Sequence, residues 1–218
     1  MGKPCLLLAS QSPRRRELLA LLGLPFETTA PNVAEIPWTN EPPTALVIRL
    51  SQAKAHAACS DALVIACDTV VALAGELLGK PHDAPGATAM LRRLRGRSHT
   101  VYSAVTLLDT ATGHALTDLA ETRVTMRTYT DPEIAAYVAS GDPLDKAGAY
   151  AIQHPGFHPV SKLQGCYANV MGLPLCHLTR CLRAWGIEPC RDVPAACQAH
   201  TTHKCPVYSV VLAGQPGG

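Results

Sequence analysis

The sequence predicts an α/β fold, a mixed central β-sheet flanked by helices. Two observations carry this. Apolar runs of strand length alternate with segments of helical periodicity through the first half of the chain. Two longer segments, residues 98–108 and 116–129, then follow each other across a turn at 110–113 and read as an antiparallel pair. Parallel connections first and an antiparallel stretch after them give a mixed sheet with helices on its faces.

The elements fall out in order. Leu6-Leu7-Leu8-Ala9 is a buried strand. Ser12 is placed as an N-cap and Pro13 as the first helical residue, where its missing N–H costs nothing. Leu18, Leu21 and Leu22 share a helical face, and Gly23 closes the helix. A strand at 26–29 precedes a proline-rich loop that carries Glu35. Residues 44–58 form a helix with Leu46, Leu50, Ala53 and Ala57 on one face and Lys54 near its end. A buried strand at 62–66 delivers Cys67-Asp68-Thr69, continues extended to Ala72 and returns at 76–78 into Gly79-Lys80-Pro81. Asp83 caps a helix that Gly96 ends. After the antiparallel pair, a helix runs from Asp131 to Ser140, and a polar loop at 145–153 leads into a short strand. Pro174 opens a helix that Gly186 stops. The expected organisation is one folded unit over 1–188 and a poorly organised tail over 189–218, with a stray strand at 207–212.

Composition bounds the function. The chain has 218 residues and a net charge of +2, so nothing demands a nucleic-acid or membrane partner. No apolar run approaches the roughly 18 residues that span a bilayer. Leu6–Ala9 is too short for the core of a signal peptide, and Leu6 stands where a myristoylation motif after Met1-Gly2 needs Ser or Thr. The expectation is a cytoplasmic protein. Nine cysteines is an odd count. Cys5, Cys59, Cys67, Cys176 and Cys181 sit in apolar or helical contexts and read as reduced small hydrophobes. Cys190, Cys197, His200, His203 and Cys205 lack the Cys-x₂-Cys pair of a regular zinc site.

The charged groups that interrupt apolar segments point to an anion. Ser10, Ser12, Arg14, Arg15 and Arg16 sit between the carboxyl end of a strand and the amino end of a helix. Backbone N–H groups and the helix dipole favour negative charge there, and ligands of open α/β sheets bind there. Three arginines at a helix amino terminus cost stability unless an anion meets them. Asp68 ends a buried run, where a carboxylate can bind a divalent cation or hold an attacking water; the competing reading is a turn cap with Thr69, but Val70, Val71 and Leu73 favour strand. Lys54 and Lys80 add cations, Glu35 a second carboxylate, and Gln153 an amide able to read a base edge. Each taken singly also reads as surface charge. Together they suit a polyphosphate bound with Mg²⁺. The chain has neither a Walker-type glycine loop nor a Rossmann glycine fingerprint.

These residues resemble the Maf family of nucleotide pyrophosphatases. The resemblance spans about Leu6 to Gly186 and rests on six short motifs in order. They are Leu8-Ala9-Ser10-Gln11-Ser12-Pro13-Arg14-Arg15, Ala66-Cys67-Asp68-Thr69-Val70-Val71, Gly79-Lys80-Pro81, Gly96-Arg97-Ser98-His99, Asp145-Lys146-Ala147-Gly148-Ala149-Tyr150-Ala151-Ile152-Gln153 and Asn169-Val170-Met171-Gly172-Leu173-Pro174-Leu175. The resemblance implies a two-lobed structure with a cleft over the sheet, commonly a homodimer. It implies hydrolysis of nucleoside triphosphates to the monophosphate and pyrophosphate with Mg²⁺ or Mn²⁺. Asp68 is then the general base, Glu35 and Asp68 hold the metal, and Ser10, Arg15, Lys54 and Lys80 bind phosphate. Arg14, Thr69 and Gln153 match the dTTP/UTP branch, whereas the 7-methyl-GTP branch typically carries an aromatic residue, Gln and Glu at those places. Cys67, Ser103 and His154 depart from the usual residues, and His154 bears on the entrance or base pocket. Two rivals share these features: a non-catalytic nucleotide-binding regulator of septum formation or cell division, and an enzyme that clears modified nucleotides. A regulator needs phosphate binders but no base, so Asp68 discriminates.

Overall fold

A computed structural model describes residues 5–58 and 60–215. The expectations placed on Met1-Gly2 and Cys59 lie outside them. The elements run β1 (Leu6–Ala9), α1 (Pro13–Ala20), β2 (Phe26–Thr29), α2 (Pro43–His56), β3 (Leu63–Leu73), β4 (Glu76–Leu78), α3 (Ala84–Leu94), β5 (Ser98–Asp109), β6 (Ala115–Met126), α4 (Asp131–Ala139), β7 (Val160–Gln164), α5 (Tyr167–Met171), α6 (Leu175–Ala184), α7 (Val193–Thr201) and α8 (Tyr208–Leu212).

The seven-stranded sheet has the order β2-β1-β3-β5-β6-β7, with β4 paired to β3. β1 is parallel to β2 and β3, and the other pairs are antiparallel. The mixed sheet matches the expectation. Strand alternation sorts the core into two faces. Leu6, Leu8, Leu63, Ile65 and Cys67 join the large core, whereas Leu7, Ala9, Val64 and Ala66 pack with Ala55 of α2 on the other face.

β3 positions the site. Its first residues, 63–65, pair with β1, and its last, 71–73, pair with β4. Residues 66–70 between them have a ladder partner on one edge only, β5. The sheet is therefore notched at this point, and β1 ends beside the notch.

The polar loop read at 145–153 is a loop, entered through two 3₁₀ turns at Asp142–Asp145 and Ala147–Ala149, with Gly148 and Ala149 in left-handed backbone (φ 72° and 59°). The strand that follows it is the short β7, at the sheet edge. Two expectations need correction. The tail is not poorly organised. Asp192 caps α7 by accepting the Ala195 N–H at 3.0 Å. The stretch read as a stray strand at 207–212 contains helix α8, because its β-branched residues pack on α6 instead of pairing. Val193 and Val211 are buried, Arg180 donates to the Val211 carbonyl at 3.1 Å, and the Cys190 N–H bonds the Leu22 carbonyl at 2.9 Å. Truncation after Glu188 is expected to cost about 3 kcal/mol from the two buried valines and their lost seat, lowering Tm by several degrees in a thermal melt. An unchanged Tm would show that the tail does not support the core.

No helix among the described residues is long and apolar enough to cross a membrane.

Candidate functional site

The notch opens into a cleft of about 600 Å³. Its floor begins with the turn after β1. Ser12 caps α1, accepting the Arg15 N–H at 3.4 Å, and Ser10 Oγ accepts the Ser12 N–H at 3.2 Å. The same hydroxyl accepts from Arg15 Nη1 at 3.3 Å. Arg15 also donates Nε–H to the Gly172 carbonyl at 2.8 Å and Nη2–H to Thr69 Oγ1 at 3.2 Å. It thus ties α1 to β3 and to the end of α5. A guanidinium has five N–H groups, so two remain for an anion. Gly172 closes α5 with φ 110°, a left-handed backbone in which a side chain is strained.

The cation and carboxylate centre lies beside this turn. Lys54, 8 % exposed, comes from α2 and donates to Glu35 Oε1 at 2.5 Å and to Asp68 Oδ1 at 2.6 Å. Strand parity explains the contact: Asp68 follows Val64 and Ala66 on the α2 face of β3, while Thr69 faces Arg15 and Ser103. Burial raises the Glu35 carboxyl, but the Lys54 hydrogen bond and the charges of Lys54, Lys80 and Arg15 outweigh it and hold Glu35 below the usual carboxylate range. Glu35 consequently stays ionised on the acid side of neutrality.

Ser10, Arg15, Lys54, Lys80 and Glu35 all line the cleft. So do Arg14, Thr69 and Gln153. Asp68 does not; it is 4 % exposed and sits behind Lys54, with Oδ2 buried and without a hydrogen-bond partner. The sequence reading missed Lys146, a buried cleft lysine that donates to Asp142 Oδ1 at 3.0 Å and Asp145 Oδ1 at 2.6 Å. Its spacing from Asp142 and Asp145 was the available signal. His154 does not enter the cleft. Its Nδ1 accepts the Gly156 and Phe157 N–H groups at 3.3 and 3.0 Å, and its ring packs edge-on against Tyr137. His154 thus builds the loop beyond Gln153 and does not line the cleft.

Tyr150 lines the cleft and bonds buried His99 Nε2 at 2.8 Å. Burial pushes His99 down to about 4. A histidine kept neutral when folded takes up protons on unfolding below its ordinary value near 6.5, so stability falls as pH drops from about 6.5 toward 4. The loss amounts to about 3 kcal/mol at the acid end of that window. Thermal melts from pH 7 to 4 are expected to show this slope, and His99→Gln to flatten it. An equal slope in both proteins would assign the acid lability elsewhere.

The residues present fit a divalent cation shared with phosphate oxygens. Asp68 and Glu35 are hard oxygen donors gathered on one ammonium, and Asp68 Oδ2 lacks a partner. Among the described residues no three His, Cys, Asp or Glu side chains form a metal cage, and Mg²⁺ commonly uses one or two carboxylates with substrate phosphates.

The fold and cleft define an α/β protein with a cation-lined site at the carboxyl end of a parallel strand, built to receive a polyanion. The chain belongs to the Maf family: the family model described as Maf-like protein matches residues 5–185. Curated relatives are similar over most of their length. A dTTP/UTP pyrophosphatase of Moorella thermoacetica is 46 % identical over 186 residues, 84 % of this chain and 96 % of the relative. One of Myxococcus xanthus is 51 % identical over 173 residues, 78 % of this chain and 87 % of the relative. Another, of Escherichia coli O157:H7, is 49 % identical over 174 residues, 78 % and 87 % of the two chains.

Proposed function

We propose that this protein hydrolyses dTTP and UTP to the nucleoside monophosphate and pyrophosphate. The observation that carries the reading is Lys54 joining Glu35 and Asp68 at the floor of a cation-lined cleft. The dTTP/UTP pyrophosphatase activity for which the relatives are named supports the substrate class.

In the proposed reaction a water oxygen attacks the α-phosphorus in line with the bridging oxygen of the β-phosphate. The new P–O bond forms as the old one breaks, and pyrophosphate leaves. Asp68 takes the proton from the water. Ser10, the two unused N–H groups of Arg15, Lys54 and Lys80 hold phosphate oxygens and offset the charge that builds in the transition state. Arg14, Thr69 and Gln153 set base preference. Glu35 and Asp68 would hold Mg²⁺ or Mn²⁺, which supplies further charge neutralisation on the triphosphate. The triphosphate competes with both carboxylates for Lys54, so its arrival loosens the ammonium from Asp68 and gives that carboxylate a way into the cleft. We further propose a cytoplasmic homodimer with no nucleic-acid or membrane partner.

The test is a release assay with Mg²⁺ or Mn²⁺ across dTTP, UTP, CTP, dATP, GTP and 7-methyl-GTP, separating pyrophosphate from orthophosphate. Pyrophosphate from dTTP and UTP above the others is the expected result. Orthophosphate would mean attack at the γ-phosphate and would end the mechanism.

A further inference from the structure

Glu35 belongs to a segment with little else to fix it. Residues 30–42 form no regular strand or helix, and Ile36 and Trp38 next to it are 70 % and 65 % exposed. No core holds this stretch in shape. What closes it is Arg49 of α2, five residues before Lys54. Arg49 donates to both oxygens of Glu41, at 2.6 and 2.7 Å, and to the Ile36 carbonyl at 3.1 Å. Its guanidinium also lies 4.0 Å from the centroid of the Trp38 ring. Glu41 completes the closure by accepting the Trp38 N–H at 3.0 Å. This hydrogen bonding, Arg49 foremost, pulls the Glu41 carboxyl down to about 2. The fork therefore stays paired throughout the working pH range.

Helix α2 thus grips the segment twice. Lys54 holds the Glu35 carboxylate itself, and Arg49 holds the backbone one residue further on. The two grips differ in what a substrate does to them. Lys54 lines the cleft and is open to competition from phosphate, whereas Arg49 does not line it. When Lys54 turns to a phosphate oxygen, Arg49 remains as the tie that keeps Glu35 at the cleft wall.

We propose that Arg49 is a positioning residue for Glu35, acting through the Ile36 carbonyl and Glu41 and touching no substrate. This rests on the reading of Glu35 as a carboxylate that works with a divalent cation. Lysine cannot reproduce the fork, because one ammonium cannot span both Glu41 oxygens and the carbonyl in a plane.

The test is a double-mutant cycle on the full chain with Arg49→Ala, Glu35→Gln and the double variant, and Arg49→Lys beside them. Two quantities are read. One is the Mn²⁺ concentration that half-saturates dTTP cleavage. The other, independent of turnover, is the Mn²⁺ dependence of binding of α,β-methylene-dTTP by calorimetry. Arg49→Ala is expected to raise the Mn²⁺ requirement about tenfold or more in both, with Arg49→Lys between it and wild type. In the Glu35→Gln background Arg49→Ala is expected to add nothing. Trp38 emission, read in a Trp185→Phe protein, is expected to shift when Arg49 is replaced, since its cation partner is gone. Should Glu35→Gln bind and turn over like wild type, the reading of Glu35 fails and the proposal falls with it. If Glu35→Gln is impaired but Arg49→Ala is silent or strictly additive to it, the role of Arg49 alone is overturned. Arg49→Lys keeps the charge on α2, so it decides the matter if the alanine variant folds poorly.

Discussion

Asp68→Asn is expected to lower kcat by about a thousandfold and to leave the protein folded. A positioned general base contributes roughly 10²–10⁴ in rate, and the amide cannot take the proton from water. Asparagine keeps the size of the side chain at a position paired with β5, and its carbonyl oxygen still accepts from Lys54. Glu35 remains as the counter-charge of the ammonium. Steady-state turnover of dTTP with circular dichroism on the same preparation checks this. A variant with kcat near wild type would remove Asp68 from the role of base.

Lys54→Met is expected to damage both stability and activity. With the ammonium gone, the buried Asp68 loses its ion-pair partner, leaving Oδ1 as bare as Oδ2 already is, and Glu35 keeps only the more distant charges of Lys80 and Arg15. Breaking a buried ion pair from one side costs about 3–5 kcal/mol, which corresponds to a Tm drop of roughly 10 °C. The loss of the phosphate-facing cation is expected to lower kcat/KM by more than a hundredfold. The pH dependence carries the sign of the mechanism. In the wild type, Glu35 is held below its unfolded value, so its contribution to stability is present above the ordinary carboxylate range and is lost as pH falls through the lowered folded value. Without Lys54 the burial that raises Glu35 is opposed only by the charges of Lys80 and Arg15, so its contribution to stability at neutral pH shrinks. Melts of both proteins at pH 8 and 5 are expected to show a smaller loss of Tm on acidification in Lys54→Met. Adding Asp68→Asn to Lys54→Met is expected to restore much of the Tm and none of the activity.

Much of the cleft was legible because its residues sit where local rules are strong. The Ser12 cap and Pro13 start are chain-local chemistry, and the structure keeps both. The buried run before Asp68 was enough to mark that carboxylate out, but not to show that it and Thr69 lie on opposite faces of β3. Nor could it supply depth. The placement of Asp68 behind Lys54 depends on how α2 crosses β3, a long-range packing that no window of sequence contains. Lys146 was passed over for the same reason: its burial follows from two carboxylates folded around it by a 3₁₀ turn. The tail misled through propensity. Val207, Val210 and Val211 favour strand, and only the surface of α6 turns them into a helix.

The notch in β3 also has a temporal side. β5 and β6 form a hairpin closed by a tight turn at residues 110–113, and β3 adds to it through a connection that holds only β4 and α3. These near-neighbour pairings are the fast part of such a sheet. β1 reaches β3 only across β2 and α2, and it brings Ser10 and Arg15 with it. The cleft floor is thus a long-range product of the fold, because Ser10 and Arg15 reach Thr69 only where β1 lies against β3.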